Sequence, residues 1–144
     1  MTSLETTALE RHDRAVDAFN AHDVEAVADI YARDAVLDDP PSPEPIRGRD
    51  AIRAAYAEMF RTFPDIHVAC RNRHIHDGCM IYELRLTGTN DGPLATPEGE
   101  LPATGRTIDL PAAVFADLDD DGRFRNVRRY YNVAEMTRQL GLDA

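Results

Sequence analysis

Met80-Ile81-Tyr82-Glu83-Leu84-Arg85-Leu86-Thr87 decides the fold. Met80, Tyr82, Leu84 and Leu86 share one parity and Glu83, Arg85 and Thr87 the other, the period-two signature of a half-buried strand. Working outward, Asp77-Gly78 just upstream is a hairpin signal, so Ile66 to His76 forms the partner strand. Downstream, Gly88 to Gly105 is a long loop rich in Gly and Pro. Ile108, Leu110, Ala112, Val114, Ala116 and Leu118 then line one face of another long strand. Asp119-Asp120-Asp121-Gly122 turns the chain into a last strand, Phe124 to Val133, and Ala134 to Leu140 forms a closing helix ended by Gly141.

The first half has a different period. Leu9, His12, Val16 and Phe19 recur at helical spacing, with Ala15 beside them. Asp23 caps a second helix with the inner face Val24, Val27, Ile30 and Tyr31, and Ala35-Val36-Leu37 is a short strand closed by Asp38-Asp39-Pro40. Asp50 caps a third helix that buries Ile52, Ala55, Tyr56, Met59 and Phe60 and stops at Phe63-Pro64. Helices first and hairpin-linked strands afterwards define an α+β fold. One curved, mixed or antiparallel sheet wraps the three N-terminal helices as a single domain over residues 1–144. A half-barrel of this kind leaves an internal pocket suited to a small apolar guest.

Composition removes several classes. The 144 residues are 43% hydrophobic and 29% charged, ordinary for a globular chain. The net charge of −10, with every basic residue an Arg, disfavours nucleic acid as a partner. No apolar run reaches the ~20 residues of a bilayer span, and Met1-Thr2-Ser3-Leu4-Glu5 lacks the basic and apolar regions of a signal peptide, so the cytoplasm is the expected compartment. Cys70 and Cys79 do not make a zinc pattern and read as reduced packing residues. His74 and His76 share a strand face, but no third metal ligand accompanies them. Asp117 to Asp121 lacks calcium-loop spacing, and no phosphate loop, Ser elbow or Cys–His signature is present.

The residues able to carry chemistry are few. Asp39, before Pro40 at a strand end, is placed to act as a general base at a cavity mouth, or else merely opens a turn. On the last strand one parity is Phe124, Asn126, Arg128, Tyr130 and Asn132; the other is Arg125, Val127, Arg129, Tyr131 and Val133. If the first parity faces inward, Arg128 needs a partner such as Asp39 or a substrate oxygen. If the second does, Arg128 is a surface residue. Glu83 and Arg85 belong to the outer face of the sheet.

Taken in order, several segments resemble the SnoaL-like polyketide cyclases, within the larger nuclear-transport-factor-two-like and ketosteroid-isomerase-like superfamily. They are Ala18-Phe19-Asn20-Ala21-His22-Asp23, Ile30-Tyr31-Ala32-Arg33-Asp34-Ala35-Val36, Asp39-Pro40 and Arg47-Gly48-Arg49-Asp50-Ala51-Ile52. Phe63-Pro64-Asp65-Ile66, Leu86-Thr87-Gly88-Thr89, Pro102-Ala103-Thr104-Gly105-Arg106 and Gln139-Leu140-Gly141-Leu142 complete the set. The resemblance implies a cone-shaped α+β barrel, a homodimer, no metal or organic cofactor, and ring closure of a polyketide-type small molecule, as in antibiotic biosynthesis.

The family's aldol chemistry uses an Asp on the last strand, and that position falls at Asn132 here. The Gly-Thr-His segment appears as Gly88-Thr89-Asn90. Asp39 instead matches the base of ketosteroid isomerases, whose oxyanion-hole residues fall near the apolar Ala15 and Val114. The expected catalytic set is therefore Asp39, Arg128 and Asn132, with Tyr31, Tyr56, Met59, His74, Tyr82, Leu84 and Tyr130 as substrate contacts. The expected reaction is carbon–carbon ring closure, by cycloaddition if no base is used. Alternatives are an epoxide hydrolase or epoxide-opening cyclase, a ketosteroid-isomerase-like isomerase using Asp39, and a non-catalytic binding protein.

Overall fold

A computed structural model describes residues 2–142. In chain order the elements are α1 (Ser3–Asn20), α2 (Val24–Ala28), β1 (Tyr31–Asp38), β2 (Ile46–Arg47), α3 (Arg49–Thr62), β3 (His67–His76), β4 (Cys79–Thr89), β5 (Leu94–Thr96), β6 (Gly99–Leu101), β7 (Thr107–Leu118), β8 (Phe124–Tyr130) and α4 (Val133–Gln139). Six strands form one curved, unclosed sheet in the order β2-β1-β8-β7-β4-β3, and β5-β6 is a separate small hairpin inside the long loop. β1 and β8 run parallel, while the other neighbours are antiparallel, so the sheet is mixed.

The long antiparallel pairs follow the alternation. Met80 lies opposite Ala116 and Tyr82 opposite Val114, and all four are buried. On the other face Arg85 Nε meets Asp109 Oδ1 across the strands at 2.6 Å. The β3–β4 turn places Asp77 and Gly78 at φ +49° and +73°, which a tight hairpin requires and glycine tolerates best. Helices α1 and α3 bury Ala8, Ala15, Phe19, Ile52 and Tyr56 against the concave face. Fully buried side chains such as Leu37, Ile52, Leu110 and Phe124 each contribute roughly 1.5–3 kcal/mol by leaving water.

The end of α2, the entry of α3 and the end of β8 differ from the sequence expectation. α2 stops at Ala28, so Tyr31 begins β1 rather than ending a helix. Gly48, at φ +89°, precedes α3, and Asp50 lies in its first turn instead of capping it. β8 ends at Tyr130, and Asn132 caps α4 by accepting the Glu135 backbone N–H at 3.0 Å.

The pairing of β8 contains the decisive irregularity. Asp117 faces Asn126 and Leu118 faces Phe124, which leaves Arg125 as an extra residue. One extra residue reverses the parity beyond it. Phe124 and Val127 are therefore both buried, and the inward series continues to Arg129 and Tyr131.

Asn90 clamps the loop between β4 and β7. It is fully buried, and its Nδ2 donates to the Thr62 and Gly92 carbonyls at 3.3 and 2.8 Å. Its Oδ1 accepts from the Thr104 backbone N–H and hydroxyl at 3.0 and 2.8 Å. Asn90 thus serves as a fully bonded amide that ties the loop to the end of α3.

Candidate active site

Between the concave face and α1–α3 lies an apolar hollow of about 110 Å³. Val16, Phe19, Val68, Leu84, Leu110 and Val114 form much of its wall. Asp39 follows the end of β1 at the hollow's mouth. Its side chain is 18% exposed, and Oδ1 is sealed from solvent without a hydrogen-bond partner. That oxygen lies 3.7 Å from Nη1 of Arg129, whose side chain is 15% exposed.

Arg129 also organises two phenols. Its Nη2 donates to the Tyr56 hydroxyl at 2.5 Å and lies 3.5 Å from the Tyr31 hydroxyl, and the two hydroxyls are 2.5 Å apart. Of the two hydroxyl protons, one makes the Tyr31–Tyr56 bond, because the guanidinium only donates. The other remains for a guest in the hollow, which both rings line. Burial first of all holds the Tyr56 hydroxyl well above the ordinary tyrosine range, so it stays protonated. Burial opposes the charge on Arg129, but the oxygens of Tyr56, Tyr31 and Asp39 favour it, and the guanidinium remains protonated. Tyr131 lines the same mouth, its hydroxyl shifted upward by burial and then by the charge of Asp39.

A second compartment adjoins the first. Asp38, Pro40, Ser42, Pro43, Glu44, Pro45, Arg128 and Tyr130 line an open trough of about 450 Å³ under the Pro-rich loop. Asp39 and Arg129 line both spaces and stand at their junction.

Of the ten residues expected to form the site, Asp39, Tyr31, Tyr56, Met59, Tyr82 and Leu84 line the hollow. The other four lie elsewhere. Arg128 points to the convex side, where Nη1 and Nη2 donate to Asp117 at 3.1 and 3.4 Å, and it reaches only the trough. Tyr130 is 55% exposed, with Phe115 edge-on against it at 5.8 Å. Asn132 is exposed and spends its side chain on the α4 cap, because the strand has already ended. His74 is exposed on the edge strand β3, beyond a pairing irregularity at Arg71–His74.

Among the lining residues outside the expected set, Arg129, Tyr131 and His12 bear on its chemistry. The first two belong to the alternative parity of the last strand. His12 sits in the apolar stripe of α1, only 3% exposed, with its ring 4.3 Å from that of Tyr82. Burial, then the charge of Arg73, lowers its pKa to about 4 despite Asp13, so it is neutral at physiological pH. Cys70 also faces the hollow, but burial pushes its thiol up to about 11, which makes it a poor nucleophile. Among the described residues, no group of three or more His, Cys, Asp and Glu side chains could hold a metal ion. No described helix is long and apolar enough to cross a membrane.

The model of the SnoaL-like domain matches residues 12–127, and the chain belongs to that family. Among solved structures, it is similar to a candidate SnoaL-like polyketide cyclase from Jannaschia sp. CCS1, with a TM-score of 0.84 and 20% identity over 100% of this chain and 98% of that one. A candidate polyketide cyclase from Xanthomonas campestris pv. campestris superposes with a TM-score of 0.76 and 26% identity, over 96% and 99% of the two chains. SalBIII, an epoxide hydrolase/cyclase-like enzyme with a role in pyran ring formation in the polyether salinomycin, gives a TM-score of 0.73 at 16% identity, over 91% and 95%. No curated protein matches the sequence.

Proposed function

We propose that this chain is a cyclase-type enzyme in which Asp39 removes a proton from a carbon next to a ketone of a polyketide-type guest. The observation that carries this reading is the Asp39 carboxylate at the mouth of an apolar hollow, with a sealed, unbonded oxygen held beside Arg129. The carbon–hydrogen electron pair becomes an enolate, and the enolate carbon attacks a second carbonyl carbon of the same molecule. The new alkoxide takes the proton that Asp39 removed, which restores the carboxylate, and the ring is closed. The spare hydroxyl proton of the Tyr31–Tyr56 pair is available to the enolate oxygen, a donor that is already in place and needs no reorganisation.

The hollow is smaller than the roughly 300 Å³ at which ligand sites usually begin. In this reading it therefore receives only the reacting segment, and the rest of the guest lies in the trough past Asp39 and Arg129. The proposed chemistry calls for no cofactor, and assembly as a homodimer belongs to the same proposal.

A second reading, epoxide opening, is favoured by one observation: the Asp39–Arg129 pair, with tyrosine hydroxyls beside it, supplies a base and an activated donor. The test uses an aromatic poly-β-keto ester and oxygen-18 water. Ring-closed product whose yield depends on wild-type protein supports the cyclase. Recovery of the ester unchanged, together with labelled diol from an aryl epoxide, contradicts it in favour of hydrolysis.

A further inference from the structure

The buried His12 has no part in the chemistry above, yet its surroundings fix its hydrogen-bonding state. Arg73, on β3, reaches across to α1, where its Nη1 lies 3.0 Å from His12 Nδ1 and 2.7 Å from Asp13 Oδ1. A guanidinium has no acceptor, so Nδ1 accepts and carries no proton. In the neutral ring the proton is then on Nε2. That nitrogen has no hydrogen-bond partner among the described residues, although the ring lines the hollow. The rings packed near it are Tyr82 on β4 and Phe124 on β8, neither of which changes its charge near neutrality.

We propose that His12 is a neutral Nε2–H donor to a carbonyl oxygen of the guest inside the hollow, and that Arg73 is the positioning residue that sets this tautomer. This inference rests on the reading of the hollow as the site that receives a ketone. Asp39 and the Tyr31–Tyr56 pair would then act on one part of the guest while His12 fixes the position of another oxygen. The guest class narrows accordingly, to molecules with a second carbonyl on the segment inside the hollow.

The test has two parts. Proton–nitrogen correlation spectra of protein labelled with nitrogen-15 histidine report the tautomer directly. The expected result is a bare Nδ1 and a protonated Nε2 near neutral pH, and a mixture of tautomers in Arg73→Met. A protonated Nδ1 in the wild type, or spectra unchanged in Arg73→Met, overturns the inference and leaves the reading of the hollow intact. Binding of 1-phenylpentane-1,4-dione, which has two carbonyls, and of acetophenone, which has one, then tests the donor. The diketone is expected to bind His12→Leu about tenfold more weakly than wild type, with recovery in His12→Gln, whose amide N–H replaces Nε2–H. Acetophenone is expected to bind all three alike. Equal losses for both probes make His12 a packing residue and overturn the inference. Failure of both probes to bind wild type removes the reading of the hollow itself, and the inference with it.

Discussion

Arg129 Nη1 stands 3.7 Å from Asp39 Oδ1, joining β8 to the end of β1 where the interior hollow meets the outer trough. Both side chains are largely withdrawn from water, at 15% and 18% exposure, so neither charge is cheaply left alone. Arg129→Met strands the Asp39 carboxylate and removes the donor to Tyr56. It should destabilise the fold by about 3 kcal/mol. Asp39→Asn combined with Arg129→Met should cost less than the sum of the two single changes, with a coupling of roughly 1–3 kcal/mol in urea denaturation. Strict additivity would show that the pair does not interact.

Asn132 is predicted to matter for α4 and not for the chemistry. Asn132→Ala removes the acceptor for the Glu135 N–H and should cost about 1 kcal/mol of stability. Ring closure by this variant, measured at a temperature where it remains folded, should be within about twofold of wild type, since a difference of a few tenths of a kcal/mol is all that an indirect effect should produce. A loss of two or more orders of magnitude would return Asn132 to the site.

Asn90 is predicted to be a structural clamp. Asn90→Ala leaves the Thr62 and Gly92 carbonyls and the Thr104 donors without their partner, and should cost about 2–4 kcal/mol. Gly92→Ala should also be severe, because a Cβ there would lie 1.9 Å from the Arg61 carbonyl oxygen. Thermal unfolding of both variants measures this, and wild-type midpoints would contradict the clamp.

Stability should fall in mild acid on account of His12. Its pKa is about 4 in the folded protein against an ordinary 6.5, so below 6.5 the unfolded chain takes up a proton that the folded one refuses. The stability that His12 leaves intact above 6.5 is therefore lost as pH falls toward 4, by up to about 3 kcal/mol. The difference in unfolding free energy between wild type and His12→Gln should change across this window and level off outside it. A constant difference at all pH values would mean that His12 titrates alike in both states.

The architecture could be read from the sequence where alternation runs unbroken. Met80 to Leu86 and Ile108 to Leu118 are such runs, and they lie beside each other in the sheet. The last strand could not be oriented that way. Arg128 and Arg129 are identical and adjacent, and the extra residue at Arg125 shifts parity without a Gly or Pro to mark it. A local signal was available at its end: Asn132 three residues before Glu135 is a helix-capping arrangement, which the strand reading concealed. Asp39 could be located because proline follows it at a strand end. His12 was hidden because its place in the apolar stripe of α1 reads equally well as packing, and its partner Arg73 lies on a strand 61 residues away.

The central claim is that Asp39 takes a carbon-bound proton from a ketone held at the mouth of the hollow. The rate at which the methyl protons of acetophenone exchange in deuterated water, followed by proton NMR, tests it without knowledge of the natural substrate. Wild type should accelerate exchange over buffer, Asp39→Asn should lose about a thousandfold of that acceleration, and Arg128→Met should retain it. Equal acceleration by wild type and Asp39→Asn, or none by wild type when acetophenone is bound, would contradict the claim.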